Sequence, residues 1–414
     1  MEYPNKKIGV FICFSVLLVL VSGCIETFEI ETSSSFESAL VVEATITDEE
    51  KRQEIRLSRS YTLESETPIL ESNAQVRVVD DAQTTYIFQE TEPGLYSSEA
   101  PFAARTGVGY RLRITTSDGR QYATDAETVS AAAEITNLYA ERTSNDFGED
   151  GMAIYVNSQG NENSSKYFRY EYEETFKIIA PFYSPSDAVV VRQESPIFQY
   201  GLVERESRQA CYGRRISNRI VLANTDAQET NALKKFRVKF IRGDDYAISH
   251  RYSMLVKQYS QSLSAYAYYQ TLRDFSQAEN PFSENQPGFL EGNVFSVNDP
   301  EEKVIGFFDV ASVSTKRLFF NYKDFYPDEP LPPYPSKCAI VDPESQCRPE
   351  AGIGCIPQMV YVIEEGNLVF YELSNPGGAL KDQIELGFFR MVPFDCGDCS
   401  RLGNINAPDF WIEE

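Results

Sequence analysis

A chain of 414 residues with 62 acidic and 38 basic side chains carries a formal charge of −24, so nucleic acid and anionic lipid headgroups would repel it and neither is expected as a partner. Its 42% hydrophobic content suffices for one large domain or two, and its single histidine, His250, excludes a histidine-rich metal site. The sequence has no G-x-S-x-G, H-E-x-x-H or Walker loop, and no metal or cofactor is expected.

In chain order, Lys6 and Lys7 form a short positive region, and residues 8–21 form an apolar run suited to a signal peptide and short for a membrane span. The run ends in Val21-Ser22-Gly23-Cys24, which resembles the lipobox of bacterial lipoproteins. Residues 1–23 are therefore expected to be a cleaved signal peptide, with a diacylglycerol on the Cys24 sulfur and acylation of the freed amine. A single acyl chain binds a membrane only marginally, so a second makes the anchor stable. Residues 24–37, with Glu26, Glu29 and Glu31 ahead of a polar stretch, read as a lipidated tether. Acids in this place resemble the surface-export signal of Bacteroidetes lipoproteins. The expected location is the outer membrane, with the cell surface favoured over the periplasmic face.

Residues 38–130 alternate apolar and polar. Leu40, Val42, Ala44 and Ile46 form one face, and Ile55 and Leu57, Val76 and Val78, then Tyr110, Leu112 and Ile114 repeat the pattern. Period two with one polar face predicts half-buried antiparallel strands. Pro93-Gly94 and Asp118-Gly119 supply turns. Six or seven short strands predict an Ig-like β-sandwich.

The composition changes near residue 131, and 131–414 reads as a larger β-rich C-terminal domain. Strands are expected at 137–141, 152–157, 167–175, 220–223, 236–241 and 252–258, with 182–200 looped. The main helix is 262–275, capped by Ser262 or Ser264. Its stripe of Ala265, Tyr268, Tyr269, Leu272 and Phe275 predicts core packing. Strands follow at 292–296, 304–314 and 317–322. Residues 326–357 form a proline-rich excursion, and 359–364 and 368–373 flank a hairpin turn at 365–367. The 25 Tyr and 27 Phe are expected to fill cores.

Beyond Cys24 lie Cys211, Cys338, Cys347, Cys355, Cys396 and Cys399. An even count in an oxidising compartment predicts three disulfides stapling the C-terminal region, with the connectivity open. Cys396-Gly397-Asp398-Cys399 has the spacing of a zinc knuckle or redox pair, but no second such motif exists to complete a zinc site. Residues 145–151 form an acidic, glycine-bearing loop without EF-hand spacing and read as a solvated turn. Trp411 is expected to pack back and close the domain beside a Cys396–Cys399 staple.

Several motifs together resemble the DUF4249 family of Bacteroidetes outer-membrane lipoproteins. They include Leu40-Val41-Val42-Glu43-Ala44, Pro93-Gly94-Leu95-Tyr96, Gly109-Tyr110-Arg111-Leu112-Arg113-Ile114 and Val304-Ile305-Gly306-Phe307-Phe308. The closing Cys396-Gly397-Asp398-Cys399-Ser400-Arg401 and Pro408-Asp409-Phe410-Trp411 complete the set, with Leu402-Gly403 departing from the family's Gly-Gly or Gly-Thr. The resemblance implies a cell-envelope lipoprotein, often encoded beside a TonB-dependent receptor, with no catalytic residues to carry over. The expected function is a non-enzymatic accessory that docks on a TonB-dependent outer-membrane transporter and captures its substrate. Alternatives are a free-standing glycan- or peptide-binding surface protein and a carboxylate-dependent hydrolase.

Overall fold

The computed structural model describes residues 38–61, 67–195, 197–277, 290–348, 354–374 and 379–413. The expected signal peptide, Cys24 and the tether lie outside the described residues. The chain is mainly β, with several sheets, few helices, and disulfides that tie the C-terminal region.

The period-two pattern becomes burial directly. In Leu40–Thr47, Leu40, Val42, Ala44 and Ile46 are buried while Glu43 faces solvent. Its antiparallel neighbour Glu54–Arg59 buries Ile55 and Leu57 and exposes Glu54 and Arg56. The sheet continues through Leu95–Ser98, Thr85–Glu92, Gln75–Asp80, Gly109–Thr115, Gln121–Thr124 and Val294–Ser296. Two stretches of chain far apart in sequence thus share one sandwich-like core, in which Val294, Val304, Phe308 and Val310 join the residues of 40–129.

The sheet curls until its last strand comes up against Val304–Asn321, the parallel neighbour of Leu40–Thr47. The Asn293 amide closes the seam by donating from Nδ2 to the Phe308 carbonyl (2.9 Å) and accepting from the Phe308 N–H at Oδ1 (2.7 Å). Here the backbones approach so closely that a Cβ on Gly292 would lie 1.6 Å from the Gly306 carbonyl oxygen.

One strand of 18 residues, Val304–Asn321, serves two cores and is called the through-strand below. Its first half pairs parallel with Leu40–Thr47, from Leu40 opposite Val304 to Thr47 opposite Ala311. Its second half pairs antiparallel with Arg251–Gln261, from Ser260 opposite Ser312 to Arg251 opposite Asn321. The strands expected at 304–314 and 317–322 are therefore one element, because Thr315 and Lys316, polar as a linker would be, sit in register with Lys257 and Val256. In the second core, Tyr167–Ile179 lies between Arg251–Gln261 on one side and Ala210–Ile216 with Val221–Asn224 on the other. A three-stranded sheet of Glu134–Ser144, Asp150–Gln159 and Ala232–Arg242 packs against them.

Two local expectations change. Residues 182–200 are not a loop, since Ser186–Glu194 and Ile197–Glu204 form a hairpin whose bounds exclude the neighbouring prolines. Residues 359–364 are not a strand but part of the helix Gln358–Glu365. Its Gly366, expected in a hairpin turn, adopts φ 64° and caps the helix, and Leu368–Leu373 pairs instead with Phe389–Pro393.

The seam glycine provides a test. Gly306 has φ +132°, and a Cβ there would meet the Val42 carbonyl at 2.1 Å, whereas one on Gly107 (φ +77°) would meet nothing within 4 Å. Urea unfolding should show Gly306→Ala costing about 3 kcal/mol and Gly107→Ala about 1 kcal/mol. Equal losses would contradict a tight seam.

Candidate functional site

The antiparallel register between Tyr167–Ile179 and Arg251–Gln261 places Arg169 directly opposite Tyr259. Two residues on, Glu171 shares the Arg169 face. The Arg169 guanidinium pairs with the Glu171 carboxylate, and Tyr259 donates its hydroxyl to Glu171 Oε2 at 2.8 Å. Arg169 also lies over two rings, Tyr259 at 4.3 Å and Tyr269 at 4.6 Å. Its side chain is only 9% exposed, and its Nε has no hydrogen-bond partner among the described residues.

Burial works against the Arg169 charge, but Tyr269, Glu171 and Asp309 outweigh it and leave the pKa above its ordinary value. Burial likewise opposes ionised Glu171, yet the Arg169 charge prevails and holds the carboxyl below its usual range. Asp309 belongs to the through-strand and is fully buried; it accepts a hydrogen bond from Gln261 at Oδ2. Burial raises its pKa, offset in part by Arg169 and Gln261. Gln261 Oε1 and Ser312 Oγ nearby have no partner among the described residues. The polar cluster thus occupies the handover point, where the through-strand leaves one neighbour and takes up the other.

The helix Leu263–Gln277 lies over this point. The Ser262 hydroxyl caps it by accepting from the Ala265 N–H at 3.1 Å. Ala265 is buried as expected, but Tyr268, Tyr269 and Leu272 are not fully enclosed and line a cleft instead. Tyr268 packs on Phe307 of the through-strand, ring centroids 5.4 Å apart. The stripe read as core is therefore half core and half wall, because the sheet beneath it presents Glu43, Thr45 and Arg169 as well as apolar groups. The cleft, about 610 Å³, lies between the outer face of Leu40–Thr47, the Arg169 face and this helix. A hollow of about 990 Å³ continues it towards Ile216, Asn218 and Arg219 and shares Arg169, Glu171, Glu43 and Glu54.

The other residues singled out in the sequence fall elsewhere. Cys211 pairs with Cys399, Cys338 with Cys396 and Cys347 with Cys355. Cys396 and Cys399 do not bond to each other: they hold the tail to two different segments. Trp411 packs back, its ring 5.0 Å from Tyr212 and 5.8 Å from Phe319, while Arg317 covers Phe410 at 3.5 Å. In the 145–151 loop, Asp146, Glu149 and Asp150 each pair with an arginine, Arg237, Arg242 and Arg142 respectively. Among the described residues no group of His, Cys, Asp or Glu is arranged to hold a metal ion. His250 is half-buried beside the Tyr246 ring, and burial, with Lys177, keeps its pKa below the ordinary value.

The sequence reading did not find Arg169, Glu171, Gln261 or Asp309. The available signal was a lone acid, Asp309, inside the apolar run 304–313, since a buried charge needs a partner.

The family model described as "Domain of unknown function (DUF4249)" matches residues 25–317. The match covers well over half of the chain, and the protein belongs to this family. It includes every strand that builds the cleft and stops inside the through-strand, so the cysteine-rich tail falls beyond it. No curated protein matches the chain.

Arg169→Met should destabilise the protein at pH 7 by about 1 kcal/mol, because it removes the partner of Glu171, whose half-exposed carboxylate is partly screened by water. Glu171 has its pKa depressed from an ordinary 4.5, so its stabilising share is complete above that pH and vanishes as pH falls through the lowered value. The gap between wild type and variant in thermal or urea unfolding should therefore be widest near neutrality and narrow in acid. A gap independent of pH would contradict the assigned pairing.

Proposed function

We propose that this protein is a non-enzymatic lipoprotein of the bacterial outer membrane, anchored through Cys24, that assists a TonB-dependent transporter by capturing its substrate. The observation that carries the capture role is the cleft, where a buried arginine, three carboxylates and three tyrosines converge between two cores and a helix. Such concave sites with a few placed polar groups suit ligand binding. The anchor rests on the lipobox-like Val21-Ser22-Gly23-Cys24 behind an apolar run. Partnership with a transporter rests on what the family resemblance implies. Lipid anchoring would confine the protein to two dimensions and raise its effective concentration near a membrane partner. Residues 24–37 would act as the tether, and the acids within it favour the cell surface.

A second reading, a free-standing glycan- or peptide-binding surface protein, draws on the same cleft.

Two measurements test the leading reading. Cys24→Ala should move the protein from the outer-membrane fraction to the soluble fraction and abolish incorporation of labelled fatty acid. Retention of both would remove the anchor. A tagged wild-type protein drawn from outer membranes in mild detergent should bring a stoichiometric TonB-dependent receptor with it. Recovery alone, even after crosslinking in intact cells, would remove the accessory role and leave the free-standing reading.

A further inference from the structure

We propose that the cleft binds an acidic oligosaccharide, a sugar chain in which some rings carry a carboxylate. This rests on the cleft being the capture site and names its ligand class. The first observation is charge. In a chain of formal charge −24, the cleft and its adjoining hollow are lined by Lys51, Arg52, Arg56, Arg169 and Arg219 against Glu43, Glu54 and Glu171. Five cations thus face three carboxylates. A further hollow of about 1120 Å³ adjoins the Asn218–Leu222 segment and also includes Arg219, while its other cations are each held by an acid, Arg237 by Asp146, Lys239 by Glu174, Arg242 by Asp244 and Glu149, and Arg273 by Asp274. Acidic surroundings make such a groove the place where an anion is held.

The second observation is which charges are free. The side chains of Arg56 and Arg219 are exposed and have no ion pair or hydrogen bond among the described residues, while Arg169 is committed to Glu171, Lys51 to Glu49, and Arg52 to the Ser98 and Glu99 carbonyls. A free guanidinium takes a carboxylate through two parallel N–H donors. Glu43 and Glu54 are exposed beside them and can accept only from donors such as sugar hydroxyls. Tyr259, Tyr268 and Tyr269 add aromatic and hydroxyl surface to the adjoining cleft, and Tyr269 also lines the hollow that Arg56 and Arg219 enter. This mixture suits a ligand with many hydroxyls and sparse carboxylates. A nucleic acid, with a charge on every unit, meets an excess of only two cations in the cleft and hollow together against the acidity of the whole chain.

The third observation excludes the commonest mode of peptide capture. Leu40–Thr47, Glu54–Arg59 and Tyr167–Ile179, the strands that wall the cleft, each have neighbours on both sides. None of these three offers a free backbone edge for an extended peptide to join, so recognition within the cleft falls to side chains, and the sheet edge at Ala210–Ile216 borders only the hollow.

Calorimetry on the full-length lipoprotein in detergent micelles tests the proposal with four probes: trigalacturonate, maltotriose, a tripeptide of glutamate, and a short oligothymidylate. Trigalacturonate should bind at least tenfold more tightly than each of the others and weaken with added salt. Arg56→Ala and Arg219→Ala should each weaken it about tenfold without changing thermal unfolding, as expected for loss of a charge-assisted contact. Equal binding of maltotriose, preference for the peptide or the oligothymidylate, or unchanged affinity in both variants would overturn it. The transporter copurification is read separately. If it succeeds while trigalacturonate fails, only the ligand class falls.

Discussion

The through-strand is hydrogen-bonded to Leu40–Thr47 along one half and to Arg251–Gln261 along the other, and everything else in the molecule is placed relative to that change of partner. Eighteen residues of extended chain span about 60 Å, long enough to belong to two cores at once. The parallel pairing joins the beginning of the described chain to residues 304–311, with most strands of the second core lying between them in sequence. Such distant pairing has a high loop-closure cost, which the burial of Val304, Phe308 and Val310 in the shared core works to offset.

A strand that changes neighbours leaves a notch where the two sheets diverge. Apolar groups would fill it in an ordinary core. Here the notch holds Arg169, Glu171, Gln261 and Asp309, and a helix covers only part of it. Buried charge of this kind is poor as a source of stability, because desolvation offsets most of the Coulomb attraction. Its retention in the wall of an open cleft is the physical reason for reading the notch as a binding site rather than as packing. The disulfides sit away from it. Two of them tie the tail, one to the 338 segment and one to the strand Ala210–Ile216, where Trp411 packs on Tyr212, and the third, Cys347–Cys355, closes a local loop.

Strand alternation in 40–58 and 75–115 was legible because each strand has one face in a core and one in water, and burial follows the pattern residue by residue. The main helix was legible from its Ser262 cap and its stripe. The even cysteine count gave the number of bridges but not their partners, since pairing depends on which segments the fold brings together. The site was mostly illegible. Arg169 and Glu171 look like ordinary polar positions of an exposed strand face, and only the register with Arg251–Gln261 and the overlying Tyr269 encloses them. The dual role of 304–321 was equally hidden, because nothing in a local window distinguishes a strand with one set of neighbours from a strand with two. The Gln358–Glu365 helix was misread because its β-branched residues imitate a strand, and Gly366 served as a helix cap in place of a turn.

The central claim is that one strand binds the two cores into a single cooperative body with the cleft at its handover point. Native-state hydrogen exchange of the through-strand amides tests it most directly. The account predicts that ladder amides on both sides of the 311–312 handover exchange with the same opening free energy, equal to that of global unfolding. If amides of 304–310 opened at a distinctly lower free energy than those of 313–320, or the reverse, the two cores would be independent and the cleft a mobile seam between them.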